Sequence, residues 1–152
     1  MGNTSHYYFK ISFIFRECKL LNGILTNAEV WYPITDNQIE ILENIDLMFI
    51  RKLVKGHSKT AKEAFYLETG LLTIRFVMMK RRIMYLHHIL QRSESEIIRK
   101  VYEIQKMIPT KHDWFGLVHK NMEDLKIDIS DDKIMQMSKD KFRAILSNKR
   151  IR

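Results

Sequence analysis

Residues 70–91, GLLTIRFVMMKRRIMYLHHILQ, constrain the fold of this chain more than any other stretch, because they combine helix formers, apolar side chains at almost every bearing and strong positive charge. With successive residues about 100° apart, Ile74, Phe76, Val77, Met78, Met79, Ile83, Met84, Tyr85, Leu86, Ile89 and Leu90 scatter round the axis instead of forming one stripe. A helix of that kind is normally buried. Its polar residues recur at seven-residue spacing, Arg75 with Arg82, Lys80 with His87 and Arg81 with His88, as three rows between apolar faces. The stretch predicts a central, mostly buried helix over about residues 73–91, with charges emerging through gaps between its neighbours.

The rest of the chain punctuates itself as helices, giving an all-α expectation of six to seven helices packed around that central one. Thr35 with Gln38, Thr60 with Glu63 and Ser93 with Glu96 each fit the capping box, in which a hydroxyl accepts from the N3 amide while the N3 side chain reaches back. Thr110 with Asp113, and Ser130 alone, mark two further starts. The first helix is read over residues 15–31, stopped by Pro33, because the residue before a proline is pushed out of the α region. Asn22-Gly23 inside it also fits a two-residue hairpin turn, for which the alternation Phe9, Ile11, Phe13, Phe15 offers a partner strand. Residues 36–54 form an amphipathic second helix through Ile39, Leu42, Ile45, Phe49 and Leu53, and residues 61–69 a short third one closed by Gly70 in the left-handed conformation. Beyond the central helix, residues 93–108 are amphipathic through Ile97, Val101, Ile104 and Ile108 and end at Pro109. Trp114, Leu117, Val118 and Leu125 anchor a helix over 112–126, and the tail over 131–148 breaks near Ser138.

A chain of 152 residues, 45% apolar and 29% charged, has enough apolar surface for a core and enough charge for a wet exterior. Its net charge of +8 is unevenly placed: residues 1–55 hold six Lys or Arg against six Asp or Glu, and residues 56–152 hold twenty against twelve. An excess of that size favours polyanionic partners, nucleic acid ahead of an acidic membrane surface. The start MGNTSH misses the myristoylation pattern at His6, and the apolar run YYFKISFIF is too short to span a bilayer, so no membrane association is expected. Cys18 is the single cysteine; it excludes an intramolecular disulfide and Cys-rich metal patterns, and an intracellular location, cytoplasmic or nuclear, follows.

Several residues have two readings. His87-His88 and the pair His112 and His119 suggest metal ligands, but adjacent helical histidines diverge by about 100°, and no metal or other cofactor is expected. Cys18 reads as a buried packing thiol. Trp31, Tyr32, Trp114 and Phe115 can stack on unpaired bases or anchor a core. Lys139, Lys141, Arg143, Lys149, Arg150 and Arg152 make a basic end that can follow a strand electrostatically or form a solvated helix face.

Taken in order, RECKLLNGILTNAEVWY (residues 16–32), HSKTAKEAFYLETG (57–70), IRFVMMKRRIMYLHHIL (74–90) and KHDW (111–114) resemble the region just downstream of the polymerase palm in reverse transcriptases of non-LTR retrotransposons. The resemblance covers residues 15–152 and leaves 1–14 as an unrelated extension. It implies a thumb-like helical domain that lies against a template-primer duplex, with Arg75, Lys80, Arg81 and Arg82 neutralising backbone phosphates of RNA or an RNA–DNA hybrid; Lys139, Lys141 and Arg143 of the basic end are added to them on charge alone. Arg75 and Arg82 have a competing reading as interior charges paired with carboxylates such as Glu29, Glu63 or Glu68. The chain also departs from that family. Nothing matches the Tyr-x-Asp-Asp hairpin whose carboxylates hold two metal ions for phosphoryl transfer, and Asp131-Asp132 follows Ser130 at a helix start, where acidic residues suit the helix dipole. Thr73 and Ala61 stand where the family commonly has proline. The expectation is therefore a non-enzymatic fragment that binds nucleic acid weakly and without sequence preference. The alternatives are a helical protein–protein interaction module, as a homo-oligomer or beside the missing palm domain, and a relic of a mobile element without function.

Overall fold

A computed structural model describes residues 3–149 apart from Ser58, Pro109 and Lys111, with residues 3–7 as backbone alone. Among the described residues the chain is all helical and contains no strand. It divides into two compact units, Met1–Asn27 with Ile34–Arg75, and Ala28–Pro33 with Phe76–Arg152.

The first unit opens with one continuous helical run: α1 (Asn3–Phe15), a π-helical stretch (Arg16–Leu20) and α2 (Leu21–Ile24). Phe15 and Leu21 both keep right-handed helical angles, so the run passes through the wider π turn without a break. The helix thus begins twelve residues before position 15, and the alternation Phe9 to Phe15 lies in a helix, not a strand; Asn22-Gly23 is likewise helical, which removes the hairpin. Widened π turns re-aim side chains, and here Arg16 at the start of the turn is wholly buried. Its Nε and Nη2 donate to the two carboxylate oxygens of Asp46, both at 2.6 Å, and Nη2 also donates to the Leu72 carbonyl at 2.9 Å. The Tyr66 hydroxyl donates to Asp46 Oδ2 at 3.0 Å. Burial lowers the guanidinium pKa but the bond to Asp46 and its charge outweigh that, so the net shift is upward; burial and the same carboxylate raise that of the Tyr66 phenol.

That ion pair explains the orientation of α3 (Asp36–Val54), whose bounds coincide with those read from the sequence. Its Thr35–Gln38 capping box is complete: Thr35 Oγ1 accepts from the Gln38 amide at 3.3 Å, and Gln38 Oε1 accepts from the Thr35 amide at 2.9 Å. The buried face, however, carries Ile39, Glu43, Asp46, Leu47, Ile50 and Leu53, while Ile41, Ile45 and Met48 are exposed. Glu43 is held by Lys62 Nζ at 2.7 Å. The apolar face expected through Leu42 and Ile45 is rotated because two carboxylates are drawn inward by cations elsewhere in the unit. Leu47 and Ile50 pack with Phe65 and Tyr66 of α4 (Lys62–Thr69). Gly56 lies so close to the Phe65 ring that a Cβ there would overlap it. The start of α4 is Ala61 with no side-chain cap, so the Thr60–Glu63 box does not form, whereas Gly70 closes the helix at φ 67° as anticipated.

α5 (Ile74–Leu90) follows, its first two residues counted in the first unit and the rest in the second. Ten of its seventeen residues are buried and only Arg75 and His88 are exposed. From Phe76 onward the buried residues fill about half the circumference at about 100° per residue. Val77, Lys80, Arg81, Met84, Tyr85 and His88 occupy the other, wetter arc. Being apolar on that arc as well as on the buried one, the helix leaves part of its apolar surface only half covered.

The second unit is completed by α6 (Ile97–Met107), α7 (Trp114–Asp124), α8 (Asp131–Gln136) and α9 (Lys139–Asn148). Their starts show which caps form. Asp113 accepts from the Gly116 amide at 2.7 Å and from Thr110 Oγ1 at 2.6 Å, bonds that outweigh its slight burial and hold its carboxyl below the usual range. Ser138 caps α9 through the Lys141 amide, and the expected break there is present. Glu96 reaches back to the Ser93 amide at 3.4 Å, yet α6 begins only at Ile97. Trp114 Nε1 donates to the Glu29 carbonyl at 2.7 Å, fastening segment 28–33 to α7. The helix stop assigned to Pro109 lies outside the described residues.

Candidate nucleic-acid interface

A phosphate backbone can be met only by cations that reach water, so burial sorts the candidate residues. Arg82, 2% exposed, is removed from the interface. Its Nη1 donates to Asn121 Oδ1 at 3.3 Å, while Nε and Nη2 have no hydrogen-bond partner, and burial pulls its pKa down. None of the three carboxylates considered for it is its partner. Arg75 is exposed, and its ion pair is a surface one, Nη1 to Asp36 Oδ1 at 2.8 Å, while its backbone amide faces Glu43. Of the competing expectation that Arg75 and Arg82 are interior charges paired with carboxylates, Arg82 is interior but bonds to an amide and Arg75 has a carboxylate but lies at the surface.

Lys80 and Arg81 lie half-buried on the wetter arc of α5. The Lys80 ammonium sits 5.6 Å from the centre of the Phe76 ring, and burial lowers its pKa. On the same arc the exposed His88 accepts from Arg92 Nε at 3.3 Å, and Arg92 pairs loosely with Glu96 at 3.7 Å. Arg92 is a basic residue not expected at this surface, because it stands just beyond the end of the helix. Its spacing of four from His88 was the available signal.

On α9, Lys139, Lys141 and Arg143 are all exposed. Lys139 and Arg143 share one face, four residues apart, and Lys141 lies on the other edge of the buried stripe made by Phe142 and Leu146. Arg143 has a nearby carboxylate, Asp140 at 3.5 Å. Lys149 donates to the Lys126 carbonyl at 2.7 Å, and Arg150 and Arg152 lie outside the described residues.

The other candidate chemistry resolves into packing. His87 Nε2 donates to the Met137 carbonyl at 2.9 Å while its ring stacks on Phe142. His119 lies against Phe115, with burial lowering its pKa. Among the described residues no group of three His, Cys, Asp or Glu side chains is placed to hold a metal ion. Cys18 is exposed, contrary to its reading as a packing thiol, because the π turn places it on the outer side of the helical run. Trp114 and Phe115 serve as anchors, the first against Tyr85 and the second against Tyr102, and Tyr32 is exposed. Asp131 Oδ2 accepts from the Tyr102 hydroxyl at 3.0 Å and from Lys106 Nζ at 2.7 Å, a structural post on which Lys106 is held above its usual pKa. A groove of about 620 Å³ beside it is lined by Arg99, Lys100 and Lys106 but equally by Glu94, Glu103 and Asp132, a balance unsuited to a polyanion.

Among the described residues no helix is long and apolar enough to cross a membrane. Comparison of the chain with family models, with curated proteins and with solved structures gives no match.

Proposed function

We propose that this chain is a thumb-like nucleic-acid-binding domain, akin to the region after the palm in reverse transcriptases of non-LTR retrotransposons. It holds the phosphate backbone of RNA or an RNA–DNA hybrid without reading its sequence. Supporting this is the placement of charge: the whole +8 excess falls after residue 55, and Lys139, Lys141 and Arg143 reach solvent there, with Lys80 and Arg81 half exposed. Point contacts from Lys and Arg to phosphates fix position and carry no sequence information. These 152 residues are not proposed to polymerise by themselves, because the paired aspartates that would hold two metal ions have no counterpart among them; a palm domain is the partner that would supply them.

The exposed cations of α9 give the test. Simultaneous Lys139→Glu, Lys141→Glu and Arg143→Glu should weaken binding of a labelled RNA–DNA hybrid by about 30-fold at low salt, on the order of a factor of three for each cation reversed. Fluorescence anisotropy reads the affinity, and circular dichroism checks that helicity is unchanged. A triple variant that binds as tightly as the parent chain contradicts the assignment.

A further inference from the structure

α6 is built the wrong way round for a helix that belongs only to a monomer. At about 100° per residue, Ile97, Val101, Ile104 and Ile108 fall within an arc of roughly 60°, and Arg99 and Tyr102 lie on the opposite side. The structure buries Arg99 and Tyr102 and leaves the apolar arc in water, with Ile97 80% exposed and Met107 beside it 79% exposed. Keeping the arginine inward requires Arg99 to donate to the Leu90 carbonyl at 3.1 Å and to pair with Glu103 at 2.8 Å, and even so its Nε is unpartnered.

The outward residues are spaced four, three and four, the a/d repeat of a coiled-coil seam. That spacing reads the same from either end. Two copies of α6 related by a two-fold axis between positions 101 and 104 therefore set Ile97 against Ile108 of the second copy and Val101 against Ile104. No charged residue interrupts the seam. These four residues and Met107 expose roughly 600 Å² per copy, so closing the seam removes at most roughly 1,200 Å² in total, the lower edge of a standard interface and the range of weak contacts.

We infer that the exposed seam of α6 is the contact surface of a weak antiparallel homodimer, formed between two copies of this chain. The seam is short and purely aliphatic, without the aromatic or arginine anchors that make contacts tight, so the dimer is weak, with a dissociation constant of about 1–100 μM. Because each copy carries +8, added salt strengthens the dimer by screening repulsion between them.

Sedimentation velocity on the full chain across a concentration series tests this. The expected result is a shift from 18.3 kDa towards twice that mass by about 100 μM. Ile104→Glu sets a charge in the middle of the seam without disturbing any buried residue, and should weaken the dimer more than tenfold with helicity intact. Ile45→Glu, on the exposed face of α3, should leave it unchanged. In a Cys18→Ser background, Ile97→Cys mixed with Ile108→Cys should cross-link to each other, and neither should cross-link to itself. A chain that stays monomeric at several hundred micromolar, an Ile104→Glu variant that dimerises like the parent, or homotypic cross-links at position 97 would overturn the inference.

Discussion

Asp46→Ala should lower the stability of the chain by about 3–5 kcal/mol, the range found when one member of a buried ion pair is removed. Arg16 and Asp46 are both fully buried, so the guanidinium that remains would lose two bonds of 2.6 Å and keep only the Leu72 carbonyl and the exposed Glu17. The Tyr66 hydroxyl would lose its acceptor at the same time. Arg16→Met should be nearly as costly, since it strands Asp46 with a single neutral donor. The double replacement Arg16→Met with Asp46→Leu should recover much of the loss, because apolar side chains of similar volume carry no desolvation cost. Urea unfolding of the four proteins gives the coupling energy directly. Additive losses would mean that the pair is not the keystone of the first unit.

The second unit contains a buried arginine for which the opposite sign is expected. Arg82 has no carboxylate partner, one bond of 3.3 Å to Asn121, and two buried nitrogens without any. Replacing it by methionine alone would strand the Asn121 amide, also buried, and cost part of the gain. The pair Arg82→Met with Asn121→Leu should therefore raise stability by about 1–4 kcal/mol, as seen when buried charged groups give way to well-packed apolar ones. The same urea series measures it. A double variant less stable than the parent would show that the folded chain satisfies the guanidinium in a way that Asn121 does not account for. Arg16 and Arg82 together show that burial alone does not tell whether a charge stabilises; the partner decides it.

The sequence was most legible where a single local device sets a boundary. Thr35 and Gln38 bracket the start of α3, Gly70 ends α4, and Ser138 divides the tail, and each works through atoms within a few residues. Long-range pairing was not legible. Nothing near Asp46 indicates that Arg16, thirty positions earlier, will turn it inward and rotate the whole of α3. The strand-like alternation from Phe9 to Phe15 was overridden because a helix continuous with the π turn delivers Arg16 to that pair. In α6 the apolar periodicity marks a face, Ile97, Val101, Ile104 and Ile108, but periodicity does not say which side of a helix meets the core, and here it is the side of Arg99 and Tyr102. The same limit applies to the candidate interface: charge marks Lys139, Lys141 and Arg143, which are exposed, and equally Arg82, whose alternative reading as an interior charge is the one its burial supports.

If exposed cations hold a phosphate backbone, binding must release counterions and weaken as salt rises. With about four phosphates neutralised, log affinity should fall against log salt with a slope of about −3 to −4, which is roughly a 100-fold loss between 50 and 200 mM. Anisotropy of a labelled RNA–DNA hybrid, with two unrelated sequences binding equally, would give that line. No binding at 50 mM salt, or an affinity that does not change as salt rises, would contradict it.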